Sequence, residues 1–496
     1  MADILNFGST PEKVGKGISY MALMQVIDLS INLIFYAAIG RLLSSEGTGK
    51  VAMAFLIMSA FNVITIFALN TTSTRFIASS LGRKDISGLT STYRSVIRAV
   101  SVSSTVAFAV SLVLLNQLSA MTGLTRLEVL FTVIAAFIMD FTSVLGGVLF
   151  GLSMYKQVAV QNLMYYSLSR LPGVLLAIYM GPLGVMLALA LGDLPVLAYT
   201  LYALRGKIPA REKSNFKALM NYGWPLYLLN LLAFVQGWLA TISVYTASGM
   251  GAMGTYYMIS SLVPFLSIAY TSITSAVFPA LSFKAGEAGS PGLSQMLRTS
   301  EALMLYLVAP IALSAAAASP TLLYFVYGPK YSSQWLVFSI LSISILTGSL
   351  SSLYSVTLQA LGRTGKQLIV GSLSLVVNIV SLLALVPMLS AVGAALATGI
   401  SSATGFLYYY YYVKKYVNHT FSLSRKLFYL WSVTSASVLT VQIIAGNRVL
   451  LTLGGEICAF FVSFLMLTKF LRPLGEEEKK WLSYAFKPKS ILKLIG

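Results

Sequence analysis

Residues 392–415 read VGAALATGISSATGFLYYYYYVKK. The first 22 positions carry no charge; their last six include the five consecutive tyrosines Tyr408 to Tyr412, and Lys414 and Lys415 close the run. About 20 apolar residues cross a bilayer as one helix, aromatic rings settle at its interface, and lysines anchor it in the water beyond. The stretch therefore reads as a transmembrane helix ending at an aromatic belt. A sugar-stacking platform is the alternative reading of the tyrosines.

The rest of the chain has the same character. Its 496 residues are 57% hydrophobic and only 10% charged, with a mean hydropathy of +0.81. A soluble domain carries roughly 25% charged residues, so a soluble enzyme and a disordered chain are both excluded. The apolar runs are continuous rather than alternating, which excludes a β-barrel. One cysteine, Cys458, and one histidine, His419, leave no material for a disulfide framework, a cysteine metal site or a histidine cluster. No metal and no cofactor is expected.

Fourteen spans follow from hydropathy. They start near Gly17, Val51, Val96, Leu127, Gln157, Leu183, Ala218, Gly254, Ala302, Gln334, Gln367, Val392, Leu427 and Val449, the last ending near Phe470. The expected fold is all-α and polytopic. The formal charge of +19 would suit nucleic acid, but its distribution explains it better. Both tails and the even-to-odd loops hold 28 of the 34 basic residues, and the opposite loops hold Arg41, Lys50, Arg126, Lys330 and Arg448. The positive-inside rule then puts both termini in the cytoplasm of a multi-pass cell-membrane protein. Nucleic acid is not among the expected partners.

The opening of the quoted stretch has an echo. Gly393-Ala394-Ala395-Leu396-Ala397 repeats Gly184-Val185-Met186-Leu187-Ala188 at an offset of 209, and Lys366-Gln367 repeats Lys156-Gln157 at 210. Gly49 and Gly254 give a weaker match at 205. Six spans separate the copies, so the repeat is parallel, as in transporters whose substrate lies between two halves. The division read from it is an N-terminal lobe, 1–210, a C-terminal lobe, 211–420, two extra spans, 421–472, and a basic tail, 473–496. The link from Arg205 to Lys217 reads as the hinge.

Charges at mid-membrane cost roughly 2.5–3.5 kcal/mol each on insertion scales and are rare unless they work or are paired. Four are read deep in spans: Asp28, Asp140, Arg170 and Asp193, all in the first half. Gln25, Asp28 and Asn32 share one helix face, and Asn162, Tyr166 and Arg170 recur every four residues as a polar stripe. Pro172 and Pro195 follow Arg170 and Asp193 by two residues, each freeing a backbone carbonyl nearby. One arginine cannot neutralise three carboxylates, so Asp28, Asp193 and Asp140 are candidate proton or sodium carriers, against the alternative that they merely pair with Arg170. No Gly-x-x-x-x-Gly-Lys-Ser/Thr pattern occurs, so the energy comes from an ion gradient or from the substrate's own gradient.

Several landmarks carry a family resemblance. Ile39-Gly40-Arg41-Leu42-Leu43 with Glu46 and Gly49, then Tyr327-Gly328-Pro329-Lys330-Tyr331, Gln359-Ala360-Leu361-Gly362-Arg363 and Val392 to Ala397 follow one another in order. Over roughly residues 10–415 the chain resembles the oligosaccharide flippases of the multidrug/oligosaccharidyl-lipid/polysaccharide exporter superfamily. The resemblance implies two pseudo-symmetric six-helix lobes around a cavity, two extra helices, no enzymatic activity, and alternating-access transport of a lipid-linked oligosaccharide. Arg170, Asn162, Tyr166, Arg75, Gln25 and Asn32 are then the substrate-binding candidates, with Arg170 meeting the phosphate and Arg75, Arg94 and Arg98 forming a basic entrance. This sequence departs from the strongly cationic cavity expected of such flippases. Partners would be the lipid-linked oligosaccharide, membrane lipid, a proton or sodium ion, and glycan-assembly enzymes. The alternative is a cation-coupled exporter of drugs or small metabolites on the same fold.

Overall fold

The structure is a computed structural model that describes residues 11–206, 216–421, 423–445, 449–476 and 478–479. For residues 11–25, 216–218, 276, 279–280 and 282–292 it describes the backbone alone. The described residues hold sixteen helices and no strand. Ten helical stretches are long and apolar enough to cross a membrane, and two of them, 219–275 and 364–417, run to 57 and 54 residues, more than two crossings each. A helix satisfies every backbone polar group within itself, which hydrocarbon demands. The chain is an all-α polytopic membrane protein.

Two compact units divide it, the first ending at Trp238 and the second beginning at Leu239. In the first, α1 (Pro11–Leu42) leads to α2 (Ser45–Ile66), capped by Ser44, whose hydroxyl accepts from the Gly47 N–H at 3.0 Å. Then come α3 (Leu69–Gly82), α4 (Ile86–Val113) and α5 (Leu115–Thr122). A capping box of Thr125 and Glu128 opens α6 (Arg126–Gly151), followed by α7 (Tyr155–Met180) and α8 (Pro182–Leu204). α1 packs on α7, α7 on α8, and α6 on α2, α3 and α8.

The second span differs from a single helix. Phe67 and Ala68 both adopt left-handed backbone, at φ 52° and 56°, separating α2 from α3. Neither is glycine, so each costs on the order of 1–2 kcal/mol. The packing that holds them includes the Phe67 ring stacked 4.0 Å from that of Tyr227, with Trp224 at 5.7 Å.

α9 (Phe216–Ser260) leads into the second unit and breaks at Gly249 (φ 81°). There follow α10 (Val263–Ala317), the short α11 (Ser319–Tyr327) and α12 (Pro329–Ser332), α13 (Trp335–Ala360), and α14 (Thr364–Val417), which breaks at Ser390. α15 (Arg425–Ala445) and α16 (Val449–Leu471) pair with each other, and α13 packs on α10 and α14.

The repeat is written in the backbone. The turn after α6 holds Ser153 at φ 57° and the turn after α13 holds Gly362 at φ 70°. Ser153 N–H donates to Phe150 and Met154 N–H to Leu149, just as Gly362 does to Gln359 and Arg363 to Leu358. The next turns match as well: Gly181 (φ 60°, ψ −141°) and Ser390 (φ 49°, ψ −124°) take nearly one conformation. Beyond them, a Cβ on Gly184 would strike the Leu176 carbonyl, and one on Gly393 the Leu385 carbonyl. Every pair is offset by 209. Lys156-Gln157 and Lys366-Gln367, 210 apart, thus stand one residue out of register. Most of the expected hinge, 207–215, lies outside the described residues.

Candidate functional site

The polar stripe of α7 divides between two surroundings. At its C-terminal end Arg170 is buried at 6% exposure. Its guanidinium carbon lies 4.4 Å from the Phe55 ring centroid, 4.8 Å from that of Phe35 and 6.0 Å from that of Tyr165, a cation–π corner. Pro172 has no N–H, so the Leu168 carbonyl loses its helical partner. Gly192 of α8 nestles there, where any Cβ would meet that carbonyl. This close approach brings the next residue, Asp193, beside α7, fully buried, with Ser169 donating to its Oδ1 at 3.5 Å.

Arg170 acts electrostatically on Asp193, Tyr165 and Tyr166. Asp28 on α1 is buried and acts on Tyr166, whose hydroxyl is in hydrogen-bonding reach of the Asn32 side chain. Asn32 in turn donates to the Asp28 carbonyl at 3.0 Å. Asp28 and Asn32 of one helix face, Tyr166 and Arg170 of the stripe, and Asp193 are thus neighbours. Asp193 interacts with the Arg170 guanidinium and Asp28 joins the group through Tyr166, so a proton or a cation on either acid changes the charge balance of the group. The Gln25 side chain lies outside the described residues.

At the other end of the stripe, Asn162 and Tyr166 line a cavity of about 570 Å³ between α2, α3, α6, α7 and α8. The first two turns of α3, placed by the break at Phe67 and Ala68, contribute Asn70, Thr71 and Thr74. No acidic or basic residue and no histidine is among its sixteen lining residues. Arg170, Asp28 and Asp193 do not line it.

Asp140 stands apart from this group. It is fully buried, Asn62 of α2 donates to its Oδ1 and Ser104 of α4 to its Oδ2. It ties three helices together. Arg75 is also elsewhere, exposed on α3, its guanidinium 3.8 Å over the Tyr222 ring. With Arg83 and Asp85 it lines a second cavity of about 330 Å³. There Asp85 caps α4 by accepting from the Gly88 N–H at 2.8 Å. That bond, helped by Ser87 and Arg83, holds the Asp85 carboxyl below its ordinary 3.8.

The sequence reading left the second half without buried charge, and the structure corrects that. Glu301, near the start of the ninth span, is buried with its Oε1 accepting from Tyr354 at 2.5 Å and lying 2.8 Å from His419 Nε2. Glu456 is buried within α16, accepting from Thr321 of α11 at 3.1 Å. His419 follows Glu301 by 118 residues and Glu456 follows Thr321 by 135, so no local spacing signals either contact. No group of three metal-ligating side chains occurs among the described residues.

Comparison with known proteins agrees with this architecture. The chain is 22% identical over 280 residues to a probable low-salt glycan biosynthesis flippase, Agl15, of Haloferax volcanii, over 56% of this chain. It spans 58% of that relative's length. The fold is similar to that of the lipid II flippase MurJ in an inward closed conformation (TM-score 0.72, 14% identity, 91% of this chain and 98% of that one). It is also similar to an inward-facing multidrug-resistance MATE transporter of the MOP superfamily (TM-score 0.66, 16% identity, 80% and 97%). The family described as polysaccharide biosynthesis protein matches residues 14–283. That match takes in more than half of the chain, including all of α1 to α8 from residue 14 onward, and it makes this chain a member of the polysaccharide biosynthesis protein family.

Proposed function

We propose that the protein flips a lipid-linked oligosaccharide, carried on an isoprenoid phosphate or diphosphate, across the cytoplasmic membrane by alternating access. The observation that carries this reading is the buried group of Asp28, Arg170 and Asp193 beside a polar cavity. A purely structural bundle has no need of three ionisable groups at mid-span. Family membership and the flippase named among the relatives support it.

In this reading Arg170 is shared between its carboxyl neighbours and the substrate phosphate. While both acids are ionised they hold the guanidinium in its aromatic corner. Neutralising one of them, by a proton or a sodium ion, releases the planar fork to take a phosphate through two parallel hydrogen bonds. Arg75 and its basic neighbours receive the head group at the cytoplasmic side, where both termini lie. The lobes are 1–210 and 211–420, with 421–472 and the tail added. No covalent step is involved, and glycan-assembly enzymes supply the substrate. The excess of acid over base also suits a cation-coupled exporter, which is the second reading.

The test is transport by the full chain in proteoliposomes, with mass spectrometry of co-purified lipid. Co-purification of a lipid-linked glycan, and leaflet translocation abolished by ionophores, are the expected results. Asp28→Asn and Asp193→Asn should each bind carrier yet fail to accumulate product against its gradient. Accumulation by both variants would return the acids to a structural role, and export of cationic drugs without lipid-linked species would select the second reading.

A further inference from the structure

The cavity at the start of the α7 stripe has a chemistry of its own. Its polar lining consists of side-chain amides (Asn62, Asn70, Gln161, Asn162) and hydroxyls, and its apolar lining includes the rings of Phe150, Tyr165 and Tyr166. Some of this polarity is already committed: Gln161 donates to the Thr142 carbonyl at 2.7 Å, Asn62 to Asp140, and Thr74 to the Gly147 carbonyl at 2.8 Å. Other groups are not. The side chains of Asn162 and Ser143 make no hydrogen bond elsewhere among the described residues, and Asn70 uses only its Oδ1, which accepts from Thr71.

Uncommitted amides and hydroxyls both donate and accept. A phosphate offers only acceptors and charge, and would draw Arg, Lys or a helix N-terminus. An organic cation would draw a carboxylate, and none lines this cavity. A ligand that matches amides and hydroxyls, with no formal charge on either side, carries many hydroxyls of its own. The apolar C–H face of a sugar ring suits the tyrosine rings. The volume lies within the roughly 300–1,000 Å³ of small-molecule sites, which suits a few rings and not a long glycan.

We infer that this cavity is a binding site for uncharged sugar, taking the first residues of the glycan next to the lipid carrier. The inference rests on the flippase reading and adds to it. The phosphate belongs to Arg170 and the neutral sugar to Asn162, Ser143 and Asn70. Tyr166 borders both places, since it lines the cavity and is in reach of Asn32 beside Asp28. Occupancy of the cavity is thereby felt at the ionisable group. Specificity here excludes charge: burying an uronate carboxylate against uncharged amides leaves it without a compensating cation.

Binding of three probes to the purified full chain in nanodiscs tests this. They share one isoprenoid diphosphate: the bare carrier, the carrier bearing N-acetylglucosamine, and the carrier bearing glucuronic acid. The neutral-sugar carrier should bind about tenfold more tightly than the bare one, the value of one or two net hydrogen bonds, and more tightly than the uronate form. Asn162→Ala should remove most of that advantage, and Ser143→Ala, a smaller change, should remove part of it. Equal affinity for bare and neutral-sugar carriers, a preference for the uronate, or an advantage that survives both substitutions overturns the sugar site and leaves the flippase reading standing. Failure of all three carriers to bind overturns both. Binding of tetraphenylphosphonium that depends on Asn162 reassigns the cavity to cations.

Discussion

Asp140→Ala separates a structural acid from a working one. The substitution removes two acceptor oxygens from a fully buried position and leaves the Asn62 amide and the Ser104 hydroxyl without their acceptor. An orphaned buried donor costs about 1–3 kcal/mol. Within membrane bundles, individual side-chain hydrogen bonds average roughly 0.6 and reach about 1.7 kcal/mol. Two bonds from two different helices therefore put the loss at about 2–3 kcal/mol, or about two powers of ten in the unfolding equilibrium. Asp140→Asn keeps one acceptor and turns its amide toward the other donor, so it should cost about half as much. Combining Asn62→Ala with Asp140→Ala should cost less than the two losses added together, because each breaks the same bond. The assay is reversible unfolding in mixed micelles, run beside transport by the fraction that remains folded. Transport per folded molecule should stay within about twofold of wild type. A variant as stable as wild type but inactive would refute the assignment and return Asp140 to the ion path.

Four further outcomes follow from the geometry. Ser390→Gly should stabilise the second unit by about 1 kcal/mol, because its φ of 49° with ψ −124° is a glycine conformation; a thermal melt reads this. Gly184→Ala and Gly393→Ala should each destabilise by about 1–3 kcal/mol and by similar amounts, since both would press a Cβ onto a backbone carbonyl eight residues earlier. Arg170→Lys should cut transport more than tenfold while the chain still folds, because an ammonium cannot reproduce a planar fork between the Phe35 and Phe55 rings; wild-type rates would remove Arg170 from the mechanism. The Asp85 cap has a carboxyl held below its ordinary value. Its contribution is therefore complete above that value and lost only as pH falls through the lower, folded one. The protection of the Gly88 amide relative to its intrinsic exchange rate at each pH should fall only in that acid range in wild type, and already be lost at neutral pH in Asp85→Ala.

The class of this protein was open to a reader of the sequence alone. Continuous apolar runs have one low-energy solution in hydrocarbon, since each helix satisfies its own backbone. The repeat was legible too, because glycines at Gly184 and Gly393 are required wherever two backbones meet too closely for a Cβ. The four-residue spacing of Asn162, Tyr166 and Arg170 put them on one face by helix geometry alone. What the sequence could not carry was which distant groups meet. The break at Phe67 and Ala68 has no proline or glycine to announce it, and it is packed against rings from α9, more than 150 residues away in the chain. Asp140 reads from the sequence as a candidate ion carrier beside Asp28 and Asp193, and only packing sets it between Asn62 and Ser104. Glu301 meets His419 and Tyr354 only because α10, α13 and the end of α14 converge. The uncharged cavity exists only between five helices. Local spacing decides which face a side chain occupies; only packing between helices decides what it faces there, because hydrogen bonds and cavities depend on distances that sequence separation does not encode.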